Sequence, residues 1–164
     1  MKKLLLILTI LFTGCSNATF SSIFQTDDNY IQLTQYTKRG EIIQSLETVS
    51  LINATYFNHF SKDNNDTKNN EVFIVGVYNY DDTKADKKGI FNPSYTLTLN
   101  NIKFTKAEPI TLKDLNLKKY PFYNKWMRYY KVYFPTSSSN NLTLKYTNIN
   151  ENSSTTLKLL KNIY

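Results

Sequence analysis

Alternation with a period of two is the feature that most limits what this chain folds into. In residues 95–99 (YTLTL), Tyr95, Leu97 and Leu99 point one way and Thr96 and Thr98 the other. Residues 142–147 (LTLKYT) repeat the pattern, and residues 155–160 carry Leu157 and Leu159 at the same spacing. Such spacing gives a strand one apolar face and one polar face. In residues 127–134 (MRYYKVYF), Tyr130, Val132 and Phe134 share a face, and Arg128 continues that row towards the rim. Residues 72–80 (VFIVGVYNY) are instead almost continuously apolar, β-branched or aromatic, which suits a central strand covered on both faces. Between these runs lie turn-forming polar stretches, 61–70 (SKDNNDTKNN), 81–89 (DDTKADKKG) and 136–141 (TSSSNN). The last follows Pro135, which stops a strand. Residues 41–58 fit one bent strand broken near Glu47; a helical turn is the alternative, because Ile42, Leu46 and Val49 lie at helical spacing. With no long helix and no repeat of fixed period, the pattern predicts an all-β fold, an antiparallel sandwich of about seven strands.

This pattern, over residues 40–162, resembles the immunoglobulin-like domains of bacterial surface lipoproteins. The resemblance concerns architecture alone: the chain has one cysteine, so the disulfide of antibody-type domains is absent. Trp126, the sole tryptophan, stands at the head of the 127–134 run and is predicted to anchor the core.

The first fifteen residues, MKKLLLILTILFTGC, address the protein. Lys2 and Lys3 precede an apolar stretch from Leu4 to Phe12, and the small residue Gly14 meets Cys15. A basic start, a short apolar run and a small-residue cleavage site make a secretory signal, and the run is too short to span a bilayer. Residues 12–15 (FTGC) resemble a lipobox, with Phe12 where leucine is usual. The resemblance implies cleavage between Gly14 and Cys15, and lipidation of Cys15 as the new N-terminus. Several acyl chains hold a protein firmly where one does not, so the membrane becomes a partner through the anchor. Ser16 in place of an aspartate favours the outer membrane. The implied division is a signal peptide over residues 1–14, a lipidated N-terminus and polar tether over 15–28, and a single β-sandwich domain over 29–164.

Loss of residues 1–14 leaves 150 of the 164 residues, enough for one domain with a core. It also removes Lys2 and Lys3 and lowers the formal charge from +7 to +5. The remaining cations are spread from Lys38 to Lys161, and the densest group, Lys84, Lys87 and Lys88, is interrupted by Asp86. That distribution suits a solvated surface near anionic lipid or polysaccharide and excludes the basic stripe of a nucleic-acid binder.

Few constellations for catalysis exist. His59 is the only histidine, predicted to lie at a strand end, and a Ser-His-Asp set would have to use it. One histidine and one cysteine cannot make a zinc site of the usual ligands. Asp63, Asp66 and Glu71 fall in one predicted loop and Asp81, Asp82 and Asp86 in another, but neither follows a calcium-loop pattern and lysines are interleaved. Glycines lie only at 14, 40, 76 and 89, which rules out a glycine-rich phosphate loop. The reading is therefore of a protein that is not an enzyme and needs no metal and no cofactor. One modification motif is present: residues 63–67 (DNNDT) match an acidic-x-Asn-x-Ser/Thr acceptor, making Asn65 a glycosylation candidate. The sequence points to a lipid-anchored envelope protein with a non-catalytic binding or structural module that contacts an envelope protein or glycan. The alternative is a surface adhesin that presents aromatic residues such as Tyr120 and Tyr123 to glycans.

Overall fold

A computed structural model describes residues 28–61, 65–83, 85–111 and 117–162. The signal segment, the cleavage position at Gly14, the lipid site Cys15 and nearly all of the tether lie outside the described residues. A short helix, α1 (Asp28–Gln35), leads into β1 (Thr37–Gln44) and β2 (Glu47–Tyr56). A helical turn, α2 (Asn65–Lys68), precedes β3 (Asn70–Asn79). Then come β4 (Tyr95–Leu99), β5 (Ile102–Lys103), β6 (Lys106–Ile110), β7 (Arg128–Pro135), β8 (Asn141–Asn148) and β9 (Ser153–Leu160). One sheet has the order β1-β2-β3-β7-β6 and the other β5-β4-β8-β9. Every pairing is antiparallel. The fold is an all-β sandwich.

The inner faces are those the period-two pattern marks. Leu97, Leu99, Leu142, Leu144, Tyr146, Leu157 and Leu159 come from one sheet; Ile52, Phe73, Val75, Val77, Tyr130, Val132 and Phe134 come from the other, and all are buried in one cluster. Phe73 meets Phe134 edge-to-face at 5.8 Å, and Tyr95 stacks on Tyr146 at 5.3 Å, both favoured aromatic geometries. Along one side β1 closes on β9, so close that a Cβ on Gly40 would lie 2.5 Å from Thr155 Oγ1. The opposite edge strand of the five-stranded sheet, β6, carries Pro109, which cannot donate to an intruding strand.

Residues 41–58 are not one bent strand. β1 and β2 form a hairpin whose two-residue turn, Ser45-Leu46, has φ of 47° and 68°. Positive φ at both positions matches the primed turns that follow strand twist. Such turns usually carry Asn and Gly, so a serine and a leucine give no turn signal in the sequence, and Leu46 lies 99 % exposed. That division, with the short β5 and β6, takes the described strands to nine.

Buried polar groups close the two ends. At one end Asp82 accepts from Gly89 N–H at 2.8 Å, Asn92 Nδ2 at 3.1 Å and Asn79 Nδ2 at 3.3 Å. Asn79 Oδ1 in turn accepts from the Ser50 and Tyr146 hydroxyls at 2.8 and 3.0 Å. At the other end Glu71, which is core-facing on β3 and not a loop carboxylate, accepts from Lys161 Nζ at 2.5 Å and Tyr56 Oη at 2.8 Å.

Candidate functional site

The outer face of β3 is covered by the chain that runs from Leu117 to Met127. Ile74, Leu117 and Tyr129 form a second buried cluster, with Phe57, Ile110, Tyr120, Tyr123 and Met127 packed against it. This cover is why residues 72–80 read as buried on both faces. Its keystone is a buried amide in the middle of β2. Asn53 Oδ1 accepts from Gly76 N–H at 3.0 Å, and Asn53 Nδ2 donates to the Phe122 carbonyl at 2.9 Å and to Met127 Sδ at 3.3 Å. A Cβ at position 76 would lie 2.5 Å from both Asn53 Oδ1 and Tyr129 Cε1, so only glycine leaves room for this bracket.

Residues 120–127 are thereby held at fixed points. Asn124 N–H donates to the Tyr129 hydroxyl at 2.8 Å, Tyr123 stacks on Tyr129 at 5.6 Å, and Trp126 N–H donates to Asn124 Oδ1 at 2.9 Å. Phe122 has φ of 60°, a left-handed conformation that costs a non-glycine residue about 1–2 kcal/mol. A bulky residue held there is an outlier of the kind that collects at functional sites. Two aromatic side chains face water as a result, Phe122 at 47 % exposure and Trp126 at 69 %. Lys125 Nζ stands 4.8 Å from the centre of the Trp126 ring, a cation–π contact.

Beside the loop is a groove of about 390 Å³ bordered by Phe91, Pro109, Ile110, Tyr123, Lys125 and Arg128. Tyr129 and Tyr130 also line it, and burial pushes both phenols above their ordinary range, opposed for Tyr129 by the Asn124 amide and for Tyr130 by Arg128. They therefore stay neutral at physiological pH and serve as hydrogen-bonding walls, not as bases. Arg128 is half-exposed, with its Nε 3.7 Å from Asp82 Oδ2.

Of the candidate residues named from sequence, Tyr123 borders this groove, whereas Tyr120, Trp126 and His59 do not line it. Trp126 is no core anchor: it precedes β7, so strand pleat does not orient its ring inward, and the loop's bracket at Asn53 leaves it in water. Tyr120 and Tyr123 are half-buried and hold the loop down, so Phe122 and Trp126 are the exposed rings of this segment. His59 lies in a 3-10 turn (Asn58–Phe60), stacked on Tyr36 at 4.1 Å and edge-on to Phe60 at 5.1 Å. Asp82 and Glu71 serve the end networks, and among the described residues no group of three or more His, Cys, Asp or Glu side chains is placed to hold a metal ion. Asn65 opens α2, and the hydroxyl of its motif partner Thr67 is buried, donating to the Ser61 carbonyl at 2.5 Å. Asn53, Gly76 and Phe122 escaped the sequence reading, because an amide in mid-strand and a left-handed phenylalanine have no local signature.

Fold and site together define an all-β sandwich with an exposed aromatic and basic loop on its five-stranded sheet. Compared with protein-family models, curated proteins and solved structures, the chain gives no match. Among the described residues no helix is long and apolar enough to cross a membrane.

Proposed function

We propose that this is a lipid-anchored cell-envelope protein whose sandwich is a non-catalytic binding module acting through residues 120–127. The observation that carries the reading is Trp126, 69 % exposed on a loop fixed to the sheet. An apolar side chain left in water forgoes on the order of 2–3 kcal/mol of burial, and the strained Phe122 adds to that cost. Rigid aromatic residues are also the residues that dominate binding energy at interfaces, because they lose little entropy on contact. The anchor is supported by the order Lys2-Lys3, apolar run, Gly14, Cys15.

The adhesin reading has one observation in its favour. β1 begins at Thr37, paired through Thr55 and Ile74 with Lys131, whereas Arg128, where the loop enters β7, pairs with Val77 nearer the opposite end. The loop thus joins the sheet three register positions beyond the point where β1 begins, in the direction in which β1 runs.

Two measurements test the proposal. Cells fed an alkyne fatty acid should label the wild-type protein and not Cys15→Ser. Affinity isolation of the lipidated protein from its own membrane should recover a bound envelope component that Trp126→Ala loses, while unfolding stability changes by no more than about 0.5 kcal/mol. An unlabelled wild type, or equal recovery by Trp126→Ala, contradicts it.

A further inference from the structure

The groove beside the 120–127 loop is small, aromatic and flanked by cations, and those properties select a ligand chemistry. Resting on the binding-loop reading above, we propose that the groove bordered by Phe91, Ile110, Lys125 and Arg128 binds an acidic saccharide, with Trp126 stacking on a sugar ring and the two cations pairing with its anionic groups. Three observations carry this. First, at about 390 Å³ the groove has the volume of a small-molecule site, concave and not flat as a protein interface is.

Second, the charge is one-sided. Residues 117–128 (LKKYPFYNKWMR) contain Lys118, Lys119, Lys125 and Arg128 and no carboxylate. Lys118, Lys119 and Lys125 are exposed, and Arg128 keeps 51 % of its side chain in solvent. Arginine and lysine favour carboxylate and sulfate through charge-assisted hydrogen bonds; Asp82 already stands 3.7 Å from Arg128, so the charge a neutral glycan would leave unanswered is that of the lysines, Lys125 above all. Third, aromatic faces carry negative charge density. The C–H faces of a sugar ring are weakly positive, so an exposed indole between Lys125 and Met127, two residues that line the groove, suits a pyranose better than it suits a lipid tail.

Trp126 is the only tryptophan, so its fluorescence reports on the loop that borders the groove. Full-length protein should be titrated with galacturonate trisaccharide, sialyllactose and a heparin-derived tetrasaccharide. Galactotriose and vesicles of phosphatidylglycerol serve as the neutral and lipid arms. The expected result is a saturable emission change with at least one acidic saccharide and none with galactotriose. Its affinity should fall at least tenfold in Lys125→Ala and fall again as salt rises. Trp126→Phe, followed by calorimetry, should bind with the same charge preference. A response of equal strength to galactotriose or to vesicles overturns the acidic-saccharide assignment and leaves the binding-loop reading standing. Silence towards every probe overturns the assignment too; if affinity isolation also recovers nothing through Trp126, the loop reading falls with it.

Discussion

Above pH 10 the protein is expected to unfold cooperatively, because its buried tyrosines cannot ionise while it is folded. Tyr56, Tyr95 and Tyr146 are each 4 % exposed or less. Burial comes first in raising all three phenols far above the ordinary value of 10.0. For Tyr56 the Glu71 carboxylate, which accepts a hydrogen bond from the phenol at 2.8 Å, adds to the effect; for Tyr95 the charge of Asp81 does. The Tyr146 hydroxyl donates to Asn79 Oδ1 at 3.0 Å inside the Asp82 network. In the unfolded chain each phenol loses its proton near pH 10, while in the native state it keeps it. Above pH 10 the native state therefore binds more protons, and stability falls as pH rises. These groups contribute fully below pH 10, and each costs about 1.4 kcal/mol per pH unit above it. Three together remove about 4 kcal/mol per unit, against a total stability of about 5–15 kcal/mol for an ordinary domain. The last and steepest rise in absorbance at 295 nm should coincide with loss of the far-UV circular dichroism, between about pH 11 and 13. Ionisation of every phenol with the dichroism intact would contradict this picture.

Lys161→Met is expected to cost about 3 kcal/mol, the low end of the range for breaking a buried ion pair. Glu71 is 2 % exposed on β3 of one sheet, and Lys161 follows β9 of the other, so their contact at 2.5 Å ties the two sheets together. Ser137 N–H also donates to Glu71 Oε1 at 2.9 Å, and Lys161 donates to the Ser137 carbonyl, which fixes the turn after β7 to the same point. Removing the lysine strands a buried carboxylate with no counter-charge, and a stranded charge is what makes such a deletion expensive. The double variant Glu71→Gln/Lys161→Met should recover at least half of the loss, because it leaves no charge buried without a partner. Urea unfolding measures all three. A cost below about 1 kcal/mol for Lys161→Met, or no recovery in the double variant, would show that the pair does not close this end of the sandwich.

What was legible in the sequence follows from which interactions are local. Residues 95–99 and 142–147 declare their buried faces because pleat alone decides which way each side chain points, and the structure buries Tyr95, Leu97, Leu99, Leu142, Leu144 and Tyr146. Residues 72–80 were readable as a doubly covered strand, although what covers the outer face, the chain around Leu117 and Tyr120, was not. Glu71 looked like a loop carboxylate because its partner lies ninety residues away at Lys161. The hairpin at Ser45-Leu46 stayed hidden because the turn carries neither glycine nor asparagine. Trp126 was misplaced for a related reason: indole is large and apolar, so composition sends it inward, and only the bracket from Asn53 to the Phe122 carbonyl keeps its loop outside. The candidate site was thus visible in residue types and invisible in geometry.

The binding-loop account is tested most directly by a photo-crosslinking amino acid placed at position 126 of the full-length protein in living cells, with Thr98 on the other sheet as control. The account predicts a discrete crosslinked species from position 126 and none from position 98. No product from 126, or the same product from both positions, would contradict it.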